Sequence, residues 1–328
     1  MKNVLVTGSS GFIGFHLSLF YLNKGYKVFG IDDMGDGYDV KLKQWRLREL
    51  KVFKNFIFNK IDISSEKKLK EYFSNNFKRN KIETIINLAA GTGVRKSTLF
   101  PNSYYQSNLI GVLNLIKLSR EYKIKSFVQA STSSVYGDSK EKSFKINSET
   151  SKPDSIYAAS KKASEVLLHA YQALYKQNIS ILRFFTVYGP CGRPDMAPFI
   201  FTEAAINNRS INVFGTGYQK RDFTYIDDIV EGIYKSSKLK GLNYLNLGNN
   251  RPVSINNLIR IISKLSNKKI KRVDKPSTPE DVFYTSADIS KTKKIMNWQP
   301  KTNLEQGILK TYNWHIKNNK WLKKIKVS

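Results

Sequence analysis

Along its first half the chain alternates between two spacings of apolar residues. Residues 4–7 are a short β-branched run, residues 12–24 carry apolar side chains at helical spacing, and residues 26–32 are strand-like again. Further strands are predicted at 56–60, 84–88, 126–130 and 179–184, with helices at 66–73, 103–121 and 157–175. Strands that alternate with helices imply crossover connections, so the expected fold class is α/β, a Rossmann-type doubly wound parallel sheet. Past residue 184 the pattern loosens. Gly189-Pro190, Gly192-Arg193-Pro194, Gly215-Thr216-Gly217 and Gly248-Asn249-Asn250 are turn signals between short elements. Residues 183–328 are therefore expected to form, for the most part, a smaller mixed α/β substrate domain built onto a first domain of residues 1–182. The chain is expected to return to that first domain within 219–240, where Tyr225-Ile226-Asp227-Asp228-Ile229 reads as a strand end running into a helix. Residues 317–328 read as a polar, partly frayed end.

Composition narrows the class without changing the fold. At 328 residues, 41% hydrophobic and 25% charged, the chain has enough material for a full core. No apolar run approaches the roughly 18–20 residues of a membrane span, and no basic leader precedes the first strand. The single cysteine, Cys191, fits a reducing compartment, and the cytoplasm is the expected location. The net charge of +29 admits two accounts, a surface for polyanions or a solvated lysine excess. Lysines number 43 against 12 arginines and are scattered, whereas phosphate and base recognition favours clustered arginine. Solvated surface charge is the favoured account, and nucleic acid is not expected as a partner.

The strand at 4–7 runs directly into Gly8-Ser9-Ser10-Gly11-Phe12-Ile13-Gly14, which opens a helix. Glycines at 8, 11 and 14 supply a tight turn, close backbone approach to a pyrophosphate and helix–strand contact, and the helix N-terminus offers free amides. An acid, Asp32, ends the next strand, where it suits a ribose 2′-hydroxyl and, with Asp33, would repel a 2′-phosphate. The expected cofactor is NAD rather than NADP. Asp62 and Ile63 suit the adenine edge, and Leu88, Ala89 and Ala90 give mostly small side chains beside the dinucleotide. Asn108 completes the expected cofactor set.

Tyr157 and Lys161 stand four residues apart, hence on one helix face, behind the hydroxyl-rich stretch Ser131-Thr132-Ser133-Ser134 that leaves a strand. A phenol with an ordinary pKa of about 10 is a poor base at neutral pH unless nearby cations favour the phenolate. Lys161 and an oxidised nicotinamide would do so, which makes Tyr157 a candidate base and Thr132 its hydroxyl partner. Packing or solvation accounts for His16, His169 and His315, no His/Cys grouping has metal-ligand spacing, and Cys191 has no activating partner.

These motifs, in order, resemble the extended short-chain dehydrogenase/reductase family, and within it the nucleotide-sugar epimerases. The resemblance covers nearly the whole chain. Arg183-Phe-Phe-Thr-Val-Tyr-Gly-Pro190, Gly192-Arg-Pro-Asp-Met196, Arg221-Asp-Phe-Thr-Tyr-Ile-Asp-Asp228 and Gly91-Thr-Gly-Val-Arg95 are similar to UDP-glucuronate 4-epimerases. The resemblance implies oxidation of a UDP-sugar at C4 by a tightly held NAD, turnover of the 4-keto sugar, and return of the hydride to its other face. It further implies Tyr157 as base, Thr132 as its partner and Lys161 as the cofactor-binding lysine. Thr186, which stands where UDP-glucose epimerases carry Asn, would grip a C6 carboxylate with Ser133, Ser134 and Arg193. Arg221 and Arg95 would serve the substrate side, Arg221 at the diphosphate, and Phe214 would pack near the uracil. A homodimer through the 103–121 and 157–175 helices is likewise implied.

A 4-keto uronate is a β-keto acid, and an epimerase must keep its carboxylate out of the orientation that releases carbon dioxide. Relatives that decarboxylate or dehydrate usually carry Glu at the place of Ser134. UDP-glucuronate is thus the expected substrate. The alternatives are a UDP-glucose or UDP-N-acetylglucosamine 4-epimerase, a UDP-glucuronate decarboxylase, and a non-catalytic NAD-sensing protein. Three positions depart from the pattern: Gly91 for a usual Gln, Glu280 for a usual Gly, and Lys96-Ser97 for an aromatic-serine pair.

Overall fold

A computed structural model describes residues 2–77, 80–277 and 282–327. Its first half runs β1 (Asn3–Thr7), α1 (Phe12–Asn23), β2 (Lys27–Asp32), α2 (Val40–Lys51), β3 (Phe56–Lys60), α3 (Glu66–Phe77) and β4 (Ile82–Asn87). Then follow α4 (Val94–Leu99), α5 (Pro101–Tyr105), a π-helical segment Gln106–Ile110 and α6 (Gly111–Glu121). After β5 (Ser126–Thr132) come a 3-10 turn Ser133–Tyr136, α7 (Ile156–Tyr175) and β6 (Ile179–Phe184). The remainder is β7 (Thr186–Tyr188), α8 (Ala197–Asn207), β8 (Ile211–Phe214), β9 (Lys220–Arg221), β10 (Phe223–Tyr225), α9 (Ile226–Ser236), β11 (Leu242–Leu247), β12 (Val253–Ser254), α10 (Ile255–Ser266), β13 (Arg272–Lys275), α11 (Ser290–Met296) and α12 (Leu304–Leu322).

Seven strands form one sheet in the order β11-β6-β5-β4-β1-β2-β3, and every pairing in it is parallel. Strand side chains alternate between two apolar layers: Val4, Val6 and Val28 pack into one core, Leu5, Phe29 and Ile31 into the other. Order reverses between β1 and β4, which opens a crevice at their carboxyl ends. A buried polar relay ties the three central strands there. The Thr7 hydroxyl donates to Asn87 (2.5 Å), and the Asn87 amide donates to Gln129 (2.8 Å).

The predicted helix at 103–121 is continuous but takes an extra residue in its π-helical segment, where Asn108 is drawn into bonds described below. Among the elements that the sequence pattern did not place are α2 and β11. Helix α2 is dense in charge and buries only Leu42, Arg46 and Leu50. Strand β11 is interrupted by Asn243 and Asn246; the buried Asn246 amide donates to Phe144 O (2.7 Å) and accepts from Tyr136 (2.7 Å), so a polar residue sits where the pattern looks for an apolar one. Beyond β6 the strands other than β11 pair as short two-stranded pieces, β7–β10, β8–β13 and β9–β12, set among helices α8 to α12. Helix α9 packs on α1 through Tyr234 against Phe20 and Tyr21, and β11 joins the seven-stranded sheet beside β6.

The C-terminal segment is not frayed as expected. Trp321 stacks on Trp45 of α2 at 5.6 Å, Leu322 and Ile325 are buried, and Asp39 accepts from Lys326 N at 2.9 Å. The lysines visible in the sequence there sit on the outer face, and the apolar residues between them dock the tail. Among the described residues no helix is long and apolar enough to cross a membrane.

His315 of α12 is buried with both ring nitrogens lacking a partner, against Phe199 at 4.5 Å. Burial holds its pKa down at about 3. The unfolded chain would take the proton near 6.5, so the stability due to neutral His315 is complete above that pH and lost as pH falls toward 3. His315→Phe should flatten the acid limb of stability by up to about 1.4 kcal/mol per pH unit between about pH 6.5 and 4, in urea unfolding at stepped pH. An unchanged slope would mean that the imidazole is already charged in the fold.

Candidate active site

Two glycines set the geometry of the loop after β1. Gly8 has φ +66°, and a Cβ there would lie 2.8 Å from Ala89 N and from the Leu88 carbonyl carbon. A Cβ on Gly14 would fall 2.0 Å from the Gly8 carbonyl oxygen, so α1 lies against the loop as only glycine permits. Helix α1 starts after Gly11, which supplies no side-chain cap to its first amides. Gly8, Gly11, Phe12, Ile13 and Gly14 line a cavity of about 950 Å³. So do Asp62, Ile63, Leu88, Ala89 and Ala90, and, further along, Thr132, Tyr157, Lys161 and Arg193.

Asp32 stands behind this wall rather than in it. Its carboxylate accepts from Ser10 N (3.0 Å), Met34 N (2.8 Å) and Lys43 Nζ (3.2 Å), and it is the neighbouring Asp33 that lines the cavity. Burial disfavours the Lys43 ammonium, but Asp32, Tyr38 and Asp33 outweigh it and its pKa is raised. Asn108 is also behind the wall: its amide donates to Gly91 O (3.1 Å) and to the Ser160 hydroxyl (2.9 Å) and accepts from Gly91 N (2.8 Å). It braces the Gly91 loop against α7, one residue away from the lysine pair partner.

Ser155 caps α7 by accepting from Ala158 N at 3.1 Å, which fixes the start of the helix that carries Tyr157 and Lys161 a turn apart. The Tyr157 phenol is raised by burial and pulled back by a hydrogen bond with Thr132 and by the positive charge of Arg193. Arg193, which the sequence reading placed at the substrate, thus also bears on Tyr157. Burial lowers Lys161 to about 8, against the opposing pull of Glu165. Arg193 itself holds Asp195 through both its Nε (3.0 Å) and a terminal nitrogen (2.5 Å), and the Asp195 carboxyl titrates below its ordinary range because that pairing outweighs its burial.

The substrate-side residues are brought together less fully. Arg95 stacks on Phe214 at 4.5 Å, joining two positions far apart in sequence. Ser133 and Ser134 form the 3-10 turn beside Thr132, with Ser134 N donating to the Thr132 hydroxyl (3.1 Å), but they do not line the 950 Å³ cavity. Thr186 lies in β7 while its neighbours Phe185 and Val187 do line it. Arg221 is in β9, with its guanidinium donating to Lys220 O (3.1 Å), outside that wall. Gly91 and Lys96 line the cavity, Ser97 is buried beside them, and Glu280 lies outside the described residues.

Residues the sequence pattern missed include Tyr104, whose hydroxyl donates to Thr92 O (2.7 Å), Tyr38 just ahead of α2 and Lys43 within it. The signal for α2 was present: the Asp39 cap and the spacing Leu42, Arg46, Leu50. Among the described residues no group of three or more His, Cys, Asp or Glu could hold a metal ion. Cys191 is buried, which raises its thiol pKa.

Residues 5–311 match the family model of GDP-mannose 4,6 dehydratase. The chain belongs to this family. Its motifs are those of the extended short-chain dehydrogenase/reductases, of which the family is a part. A UDP-glucuronate 4-epimerase of Thermodesulfobacterium geofontis is 45% identical over 328 residues, covering 100% of both chains. The crystal structure of a UDP-glucuronic acid 4-epimerase from Bacillus cereus, in complex with UDP-glucuronic acid and NAD, superposes with a TM-score of 0.89 at 32% identity, over 97% of this chain and 100% of that one. A UDP-glucose 4-epimerase from Thermotoga maritima, with UDP-glucose, reaches a TM-score of 0.89 at 28% identity with the same coverage.

The Gly8–Gly14 contact gives a test of this loop that needs no ligand. Gly14→Ala improves helix propensity by about 1 kcal/mol in isolation. Here the added carbon must push the loop aside, and a net loss of roughly 1–3 kcal/mol in chemical denaturation is expected. A neutral or stabilised variant would show that the loop gives way freely.

Proposed function

We propose that the chain is an NAD-dependent nucleotide-sugar 4-epimerase that interconverts UDP-glucuronate and UDP-galacturonate. One observation carries this reading: the uncapped start of α1, the Thr132–Tyr157 pair and Arg193 all border one cavity. Membership of the family and 45% identity over the whole length of a UDP-glucuronate 4-epimerase support it.

The residues fit the cofactor. The close Gly8–Gly14 approach leaves no room for side chains at either position, and the α1 N-terminus without a side-chain cap suits a pyrophosphate. Asp32 and Asp33 would serve the adenosine ribose, Asp62 and Ile63 the adenine, and Lys161 the second ribose. Bound NAD supplies the hydride acceptor, the donor for the return, and a positive charge beside Tyr157. Tyr157 takes the proton of the sugar C4 hydroxyl as that carbon is oxidised, and gives it back on reduction. Thr132 and Arg193 lower the cost of its phenolate in a site that burial otherwise makes unfavourable.

In this reading Ser133, Ser134, Thr186 and Arg193 hold the C6 carboxylate away from the perpendicular orientation in which a β-keto acid loses carbon dioxide. The hydroxyl of Ser134 in place of an acid argues against decarboxylation and dehydration. Phe214 with its stacked Arg95 would face the uracil, and Arg221 the diphosphate. The working form is a homodimer in the cytoplasm. Val166, Ala170 and Leu174 are exposed at successive turns of α7, next to Tyr175, over whose ring Arg120 of α6 lies at 4.0 Å, and they support pairing through these helices.

Purified protein incubated with UDP-glucuronate, without added cofactor, should yield an isobaric UDP-galacturonate by chromatography and mass analysis. Loss of carbon dioxide would make it a decarboxylase, and equal turnover of UDP-glucose would remove the carboxylate grip. Tyr157→Phe should lower kcat by about 10²–10⁴-fold while leaving UDP-sugar binding intact. Retained turnover in that variant would eliminate the proposed base.

A further inference from the structure

Three consecutive backbone carbonyls precede Arg193, and side chains from α1 and α2 hold all three. His16 of α1 contacts Pro190 O at 2.9 Å. A carbonyl only accepts, so Nε2 of His16 carries the proton. Arg46 of α2 donates to Cys191 O (2.6 Å) and Gly192 O (3.0 Å), and its Nε also reaches the Cys191 sulfur (3.1 Å). The other terminal nitrogen of Arg46 donates to Ser10 O (3.2 Å) and to Tyr38 (2.5 Å). The Arg46 side chain is fully buried, and among the described residues no carboxylate pairs with it. Burying a cation with no carboxylate beside it is expensive, so a neutral side chain would serve better if Arg46 only filled space.

The geometry is that of a coupling. Ser10 lies in the glycine loop, between the Gly8 turn and the start of α1, and its own N–H is fixed by Asp32. The guanidinium is a rigid planar fork, so a displacement of Ser10 O at one prong is felt by Cys191 and Gly192 at the other. The held loop is itself under constraint: Cys191, a residue with a side chain, has φ +58°. The next residue is Arg193, which borders the cavity beside Tyr157.

We infer that Arg46 and His16 form a clasp through which occupation of the glycine loop sets the position of Arg193, so that cofactor and nucleotide sugar bind cooperatively. The inference rests on the reading above of which ligand each loop holds. Both are positioning residues, and neither borders the cavity.

The test is the rate at which the holoenzyme releases NAD, with and without saturating UDP-glucuronate. In the wild type the sugar nucleotide should slow release by roughly 5–150-fold, the usual range of coupling between sites. In Arg46→Lys, which keeps the charge but loses the fork, and in His16→Phe, which keeps the ring but loses the hydrogen bond, the factor should fall below about threefold, with KM rising more than kcat falls. Thermal melts identify folded variants. A coupling factor unchanged in folded variants overturns the clasp, and so does its absence in a wild type that binds both ligands. Should the variants not fold, hydrogen exchange of wild-type residues 189–196 decides: NAD alone should slow it, and unaltered exchange overturns the inference. A wild type that binds neither ligand would instead remove the functional reading on which the clasp rests.

Discussion

The contact between Gly14 and the Gly8 carbonyl determines how close α1 lies to β1, and the site is built outward from that approach. Any side chain at either position would separate helix from strand. The crevice between β1 and β4 would then open against carbon atoms rather than backbone amides. Because Gly8 also abuts Leu88 and Ala89, the same close fit orders the end of β4, and the Thr7–Asn87–Gln129 relay passes that register on to β5. Strand β5 in turn delivers Thr132, and α7 lies over it with Tyr157 and Lys161.

Electrostatics at the site run against what burial prefers. Desolvation raises Tyr157 and lowers Lys161, so both groups lean toward their neutral forms. The opposing influences are local and few: Thr132 and Arg193 on the phenol, Glu165 on the ammonium. A base held in this way responds strongly to any further charge brought into the cavity, because the interaction is made in a desolvated place. The large excess of lysine elsewhere exerts little comparable effect, since exposed charges are screened over about 8–10 Å in salt.

Helix α2 joins the parts that the sheet alone would leave separate. Lys43 meets Asp32 and Asp33 at one end of the cavity, Arg46 reaches both loops, and Trp45 receives Trp314 and Trp321 from the C-terminal helix. The tail docks on the same helix through Asp39, which also caps it. One short, highly charged segment thus connects the glycine loop, the Arg193 loop and the end of the chain.

The sequence by itself determined the alternating frame, the glycine loop and the Tyr157–Lys161 pair, because each depends on residues close together along the chain. Period-two strands, period-3.6 helices, a turn that needs glycine and two side chains on one helix face are local facts. It also carried the family resemblance that the comparisons bear out. Helix α2 and strand β11 escaped it, since their buried polar residues, Arg46 and Asn246, find partners only in distant segments. Only the tertiary structure decided that Asp32 faces Ser10 and Lys43, that the charge of Arg193 bears on Tyr157, and that the C-terminal lysines frame a docked helix. Which groups a side chain meets is set by packing between elements, and no spacing along the chain records it.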